Sequence, residues 1–168
     1  MLKSFIESQF CYAPLVWIFH SRTIEKKINR VHERALRCVY RDDTSSFEDL
    51  LLKDGSITVH QRNIQLLAIE CYKSLNNFGP SFLKDIFQSI QILTSTRGQP
   101  LPRANSKIYG HDSLDYLSAQ LWAILPSELK NVDDLKKFKI EIKKWIPECP
   151  CRLCKTYIYG VGYINIRN

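Results

Sequence analysis

Long apolar runs are missing from this sequence. The longest, Phe10 to Phe19, is too short to span a bilayer, so we expect no transmembrane helix and no membrane partner. Internal repeats and low-complexity tracts are missing as well. There is no P-loop, no G-x-G-x-x-G and no H-E-x-x-H, so the common phosphate-cradling and zinc-protease chemistries lack their residues. Met1-Leu2-Lys3 leads into a polar Ser/Glu/Gln segment without a secretory pattern. With no such leader, the six cysteines read as free thiols in a reducing, intracellular setting.

Acidic residues are also in short supply: 17 Asp and Glu face 24 Lys and Arg, a net charge of +7 and a pI near 9.1. The imbalance is uneven. Residues 1–41 carry 8 basic against 3 acidic side chains, residues 42–95 carry 4 against 7, and residues 96–168 carry 12 against 7. Two basic lobes around an acidic middle suit a polyanionic partner.

What is present is a chain of 168 residues, 45% hydrophobic and 24% charged. That is enough to bury a core as one domain, or one domain plus a tail. The expected fold class is mainly α: a small helical bundle with a loop-rich middle segment and an irregular, Cys-containing C-terminal tail. Leu2 to Cys11 reads as a short helix that Pro14 interrupts or restarts. Ser21 or Thr23 can cap a long helix running to about Arg41. Its apolar positions Ile24, Ile28, Val31, Ala35 and Cys38 keep the helical period. Ser45 and Glu48 have the spacing of a capping box before "FEDLLL", and "DGS" (54–56) is a turn.

A second long helix is expected over Thr58 to Leu75, with Val59, Ile64, Leu67, Cys71 and Leu75 available to the core. Pro80 can open a short helix over "PSFLKDIF". Residues 90–112 hold Pro and Gly without a helical period and read as loop. Helical texture returns in "SLDYLSAQLWAIL" and "DDLKKFKIEIKKW", the latter with Leu135, Phe138, Ile142 and Trp145 on one face. From Pro147 the tail is irregular.

The sharpest pattern is basic. Lys27, Arg30, Arg34, Arg37 and Arg41 follow spacings of 3, 4, 3 and 4 on the first long helix. At 100° per residue they share an arc of roughly 80°, centred about 100° from the expected apolar stripe. Four of the five are Arg, whose planar fork can donate two hydrogen bonds to one phosphate. A solvated helix face gives the same spacing, but Glu33 is the one acid close to five cations. The lysines at 136, 137, 139, 143 and 144 spread round more of their helix and read as a solvated face.

Three further features bear on chemistry. Cys149, Cys151 and Cys154 in "ECPCRLCK" offer thiolates to Zn²⁺ beside Arg152 and Lys155, yet no fourth ligand stands nearby. Free or partly buried thiols are the alternative. His20, His32, His60 and His111 lie in separate segments without a Ser, Asp or Cys partner at a telling spacing, and read as satisfied or solvent-facing imidazoles. Tyr40-Arg41-Asp42-Asp43 matches the Tyr-x-Asp-Asp of reverse transcriptases, where paired aspartates hold two Mg²⁺ ions. Here a helical period precedes it and a helix cap follows, whereas a polymerase places it on a β-hairpin. The chain is also short for a palm and fingers. The tetrapeptide is therefore read as a helix–turn–helix junction and the chain as not an enzyme.

Taken in order, "FIESQFCYAPLVWIFHSRTIEKKINRVHERALRCVYRD", "SSFEDLL", "VHQRNIQLLAIECYK", "YGHDSLDYLSAQLWAILPSELKN", "FKIEIKKW" and "CPCRLCKTYI" resemble the region downstream of the reverse transcriptase core in non-LTR retrotransposons of the jockey and chicken-repeat type. The resemblance covers essentially the whole chain. It departs at Ser118-Ala119-Gln120, where the family commonly shows Gly-Pro-Lys before the Trp. It implies a thumb-like helical region over residues 1–89, a C-terminal extension with a loop and then helices over 90–146, and a Cys-containing tail over 147–168. The catalytic domains of such elements have no counterpart here, so the resemblance implies a non-catalytic fragment. Its expected activity is backbone binding to RNA or an RNA–DNA hybrid through Lys27, Arg30, Arg34, Arg37 and Arg41. The alternative is a protein-interaction remnant that docks on the polymerase core of a parent element, with an apolar patch around Phe10, Tyr12, Trp17 and Phe19.

Overall fold

Ser21, an extended residue whose carbonyl accepts from the backbone of Ile24 and Glu25, starts the longest helix. In the computed structural model, which describes residues 14–87 and 113–145, every regular element is helical and no strand occurs among the described residues. In chain order these are α1 (Pro14–Trp17), α2 (Arg22–Tyr40), α3 (Phe47–Asp54), α4 (Val59–Leu75), α5 (Phe82–Ile86), α6 (Leu114–Ile124), α7 (Ser127–Lys130) and α8 (Leu135–Lys144). The mainly helical fold class is thus observed. The helix expected over Leu2 to Cys11, the loop over residues 90–112 and the tail from Pro147 lie outside the described residues.

Helix boundaries follow local chemistry. Pro14 opens α1, as its missing N–H allows. The α2 C-terminus is closed by Arg41 in the left-handed region (φ 51°), its N–H reaching the Arg37 carbonyl. The capping box of α3 is one residue later than the sequence reading placed it. Ser46 Oγ accepts from Asp49 N–H at 3.1 Å, and the Asp49 carboxylate accepts from Ser46 N–H at 3.3 Å. Ser45 and Glu48 do not make it, because Ser45 is held by Asp42 instead. Gly55, with φ of 64°, ends α3 in a conformation that costs an L-residue roughly 1 kcal/mol or more. Thr58 and Gln61 then form a second reciprocal cap at the start of α4.

Contacts group the described residues into two compact units, 14–70 with 133–145 and 71–87 with 113–132. In the first unit, Ala35 and Leu36 of α2 meet Leu50 and Leu51 of α3, flanked by Tyr40 and Phe47. The His32 ring lies edge-on to Phe47, 5.7 Å between centroids. α4 contributes Val59, Ile64, Leu67, Ala68 and Ile69 as buried residues, and α8 contributes Phe138 and Ile142. Gln65 reaches the end of α8, its side-chain amide donating to the Trp145 carbonyl at 2.8 Å. In the second unit, Tyr72 Oη donates to the Val132 carbonyl and Tyr72 stacks on Phe78. A Cβ at Gly79 would come within 2.8 Å of Leu83 Cδ1, so the Leu83 side chain would have to shift.

The apolar stripe expected on α2 is rotated. Ile28 and Ala35 are buried, but Ile24, Val31 and Cys38 are exposed. The buried line is Glu25, Ile28, His32, Ala35 and Leu36. Two polar side chains, Glu25 and His32, therefore take core positions on α2. On α4, Val59, Ile64, Leu67 and Cys71 are buried as expected, whereas Leu75 is half-buried.

Candidate nucleic-acid interface

Rotation of the buried line changes the setting of the basic ladder. At 100° per residue, Lys27, Arg30, Arg34 and Arg37 centre about 170° from Glu25, Ile28, His32, Ala35 and Leu36, nearly opposite the core rather than beside it, and Arg41 follows just past the helix end. Lys27, Arg30, Arg34 and Arg41 are all exposed. Among the described residues no carboxylate lies within ion-pair distance of any of these four. From Lys27 to Arg41 the ladder runs about 21 Å at 1.5 Å per residue, the axial length of about six phosphates on one strand.

Arg37 behaves differently from its neighbours. Its guanidinium donates to Glu33 Oε1 at 3.2 and 2.6 Å, to the Asp42 carbonyl at 3.1 Å and to the Ser45 carbonyl at 2.9 Å. These bonds tie the last turn of α2 to the segment that leads into α3. The geometry thus separates four outward cations from one structural arginine.

The junction after Arg37 also decides the fate of Tyr40-Arg41-Asp42-Asp43. Asp42 accepts from the backbone N–H of Thr44 (3.2 Å) and Ser45 (3.0 Å) and from the Ser45 hydroxyl (2.8 Å), with Lys53 Nζ at 3.4 Å. The Ser45 hydroxyl and N–H, then the Thr44 N–H and Lys53, hold its carboxyl well below the usual carboxylate range, against a small opposing effect of burial. Tyr40 Oη donates to Asp54 at 2.8 Å, under the Lys53 ammonium. Asp43 is exposed and makes no hydrogen bond among the described residues. One aspartate organises a turn and the other faces solvent, as expected of a helix–turn–helix junction.

Of the thiols, Cys38 is exposed rather than buried, and Cys71 is buried; Cys149, Cys151 and Cys154 lie outside the described residues. The lysines at 136, 137, 139, 143 and 144 are exposed around α8, with Lys144 paired to Glu141 at 2.8 Å. Of the apolar patch, Phe19 is half-buried, and the side chains of Phe10, Tyr12 and Trp17 are outside the described residues.

One grouping was not visible in the sequence. His20, just before α2, meets the Glu25 carboxylate through Nε2, and His60 of α4 lies beside both. The three ligand atoms lie within 4.8 Å of one another. Glu25 is 4% exposed and His60 4% exposed, and Asn29 Nδ2 donates to Glu25 Oε1 at 3.0 Å. Burial pushes the Glu25 carboxyl upward, but the His20 hydrogen bond, the nearby imidazoles and the Asn29 amide together bring it below its ordinary value. A spacing of 35 residues between Glu25 and His60 gives no local signal; only the packing of α2 on α4 joins them.

Comparison with protein-family models, with curated proteins and with solved structures gives no match for this chain.

Proposed function

We propose that this chain is a non-catalytic part of a non-LTR retrotransposon polyprotein that binds the backbone of RNA or an RNA–DNA hybrid through α2. The observation that carries the reading is the outward row of Lys27, Arg30, Arg34 and Arg41, unneutralised among the described residues and opposite the buried line. Such a row offers charge and guanidinium forks to phosphates but no arrangement for reading base edges, so binding is independent of sequence.

Four phosphate contacts give a slope of log K against log salt of about −3 to −4 on a duplex. Salt-titrated binding to an RNA–DNA hybrid measures it. Changing Arg30, Arg34 and Arg41 to Glu is expected to weaken binding by at least about 100-fold at low salt and to flatten the slope. If affinity and slope stay where they were, the reading fails. Primer extension with Mg²⁺ is expected to yield no product.

A second reading draws on the exposed Ile24, Val31 and Cys38, which recur every seven residues along one edge of α2 beside the ladder. An apolar edge next to a basic one suits docking on an acidic protein surface, such as the polymerase core of a parent element. Retained hybrid binding after Ile24→Ser and Val31→Ser, with loss after the arginine reversals, favours the nucleic acid over the protein.

A further inference from the structure

We propose that His20, Glu25 and His60 form a divalent-metal site of zinc class that clips the start of α2 to the start of α4. Two imidazoles and one carboxylate are the donor set that Zn²⁺ takes in three-ligand sites, with one position left for a further oxygen donor. The donors come from α2, the segment just before it, and α4 within one compact unit, so an ion here would join positions 35 residues apart between Glu25 and His60.

Three observations point to an ion rather than to packing alone. The ligand atoms converge to within 4.8 Å. Bonds of 2.0–2.1 Å in a tetrahedron require about 3.3 Å between ligand atoms, and the terminal torsions that would adjust the spacing are broad for His and Glu. The site is also sealed: the His20 and Glu25 side chains are 3% and 6% exposed. A carboxylate withdrawn from water needs a compensating positive charge. Among the described residues no Lys or Arg is paired with Glu25. Finally, the Asn29 amide fixes the other carboxylate oxygen, the way ligating carboxylates are usually oriented. Its own Oδ1 is buried without a hydrogen-bond partner among the described residues, one helical turn from Glu25.

The site differs from the Cys149, Cys151 and Cys154 set, and the test separates the two. The probe is metal alone, Zn²⁺ or Co²⁺, added to chelator-treated full chain carrying Cys149→Ser, Cys151→Ser and Cys154→Ser. One equivalent of Co²⁺ is expected to bind, without the sulfur-to-cobalt charge-transfer absorption of a thiolate site. Zinc is expected to displace it and raise the melting temperature. Glu25→Gln, which keeps the shape and the Asn29 contact, and His60→Gln should each weaken binding by roughly 100-fold. Because either variant can fold poorly, nitrogen NMR of the imidazoles in the serine-substituted chain provides a second readout: zinc should shift the ring nitrogens of His20 and His60 and leave those of His32 and His111. No saturable binding by a natively helical chain, unmoved His20 and His60 resonances, or unchanged affinity in folded Glu25→Gln and His60→Gln would each overturn the proposal.

Discussion

Asp42 shows how much one side chain can decide. Its carboxylate accepts two backbone N–H groups and a hydroxyl within three residues, the geometry of an Asx turn. That arrangement is what makes Tyr40-Arg41-Asp42-Asp43 a junction between helices, since an oxygen already accepting from Thr44 and Ser45 is not presented to a metal. The depressed folded value of Asp42 sets a sign for acid stability. The contribution is complete above the unfolded carboxyl value of about 3.9 and is lost as pH falls below it toward the folded value. Acid titration of the helical circular dichroism should therefore show a loss of stability below about pH 4 that Asp42→Asn flattens. A variant with the same acid limb as the parent would mean that the turn does not depend on the charge. The amide keeps one acceptor, so a small loss of stability at neutral pH is also expected.

At the scale of elements, the joint between α2 and α3 and the face α2 buries carry the most information. Arg37 donates to two backbone carbonyls and a carboxylate across that joint, and hydrogen bonds from a charged donor contribute about 1.5–3 kcal/mol where they are not matched by water. Arg37→Ala should lower unfolding stability by about 1–3 kcal/mol, and Arg34→Ala by no more than about 0.5 kcal/mol. In hybrid binding the order reverses, with Arg34→Ala the more harmful. Urea unfolding and binding on the same samples check both orders. The sequence made the helices legible because their period, caps and turns are local: Gly55, Ser113 and Asp134 end or start elements where their chemistry says they should. It also placed Phe138 and Ile142 on the buried side of α8. It misplaced the buried side of α2 by about 70°. The rule that apolar residues face inward chose Ile24, Val31 and Cys38, but Glu25 and His32 take the inside positions. A polar residue can do so when a partner waits on another element, as His60 does for Glu25, and no local window contains that partner. The His20, Glu25 and His60 grouping was illegible for the same reason, and the basic ladder was legible because it needs only one helix.

For the molecule as a whole, net charge and contact charge predict different behaviour. The chain carries +7, and any polyanion is drawn toward it at low salt. The exposed lysines of α8 contribute to that field, yet they spread round their helix and Lys144 is partly neutralised by Glu141. The ladder on α2 faces one way, and no acid is ion-paired with Lys27, Arg30, Arg34 or Arg41 among the described residues. Charges that act only at a distance are screened once the Debye length falls to about 8 Å, near 0.15 M salt. Charges that touch phosphates act by releasing counterions, and their loss persists at that ionic strength. Two variants of equal charge change separate these effects: Lys137, Lys139 and Lys143 to Glu on α8, and Arg30, Arg34 and Arg41 to Glu on α2. Both should weaken hybrid binding in about 0.02 M salt, where screening is slight. In about 0.15 M salt the α8 variant should approach the parent chain, while the α2 variant should remain at least about 10-fold weaker and keep a slope shallower by about 3. Equal losses from the two variants at both salts would mean that the molecule attracts nucleic acid by net charge alone, and that the alignment of cations along α2 has no part in it.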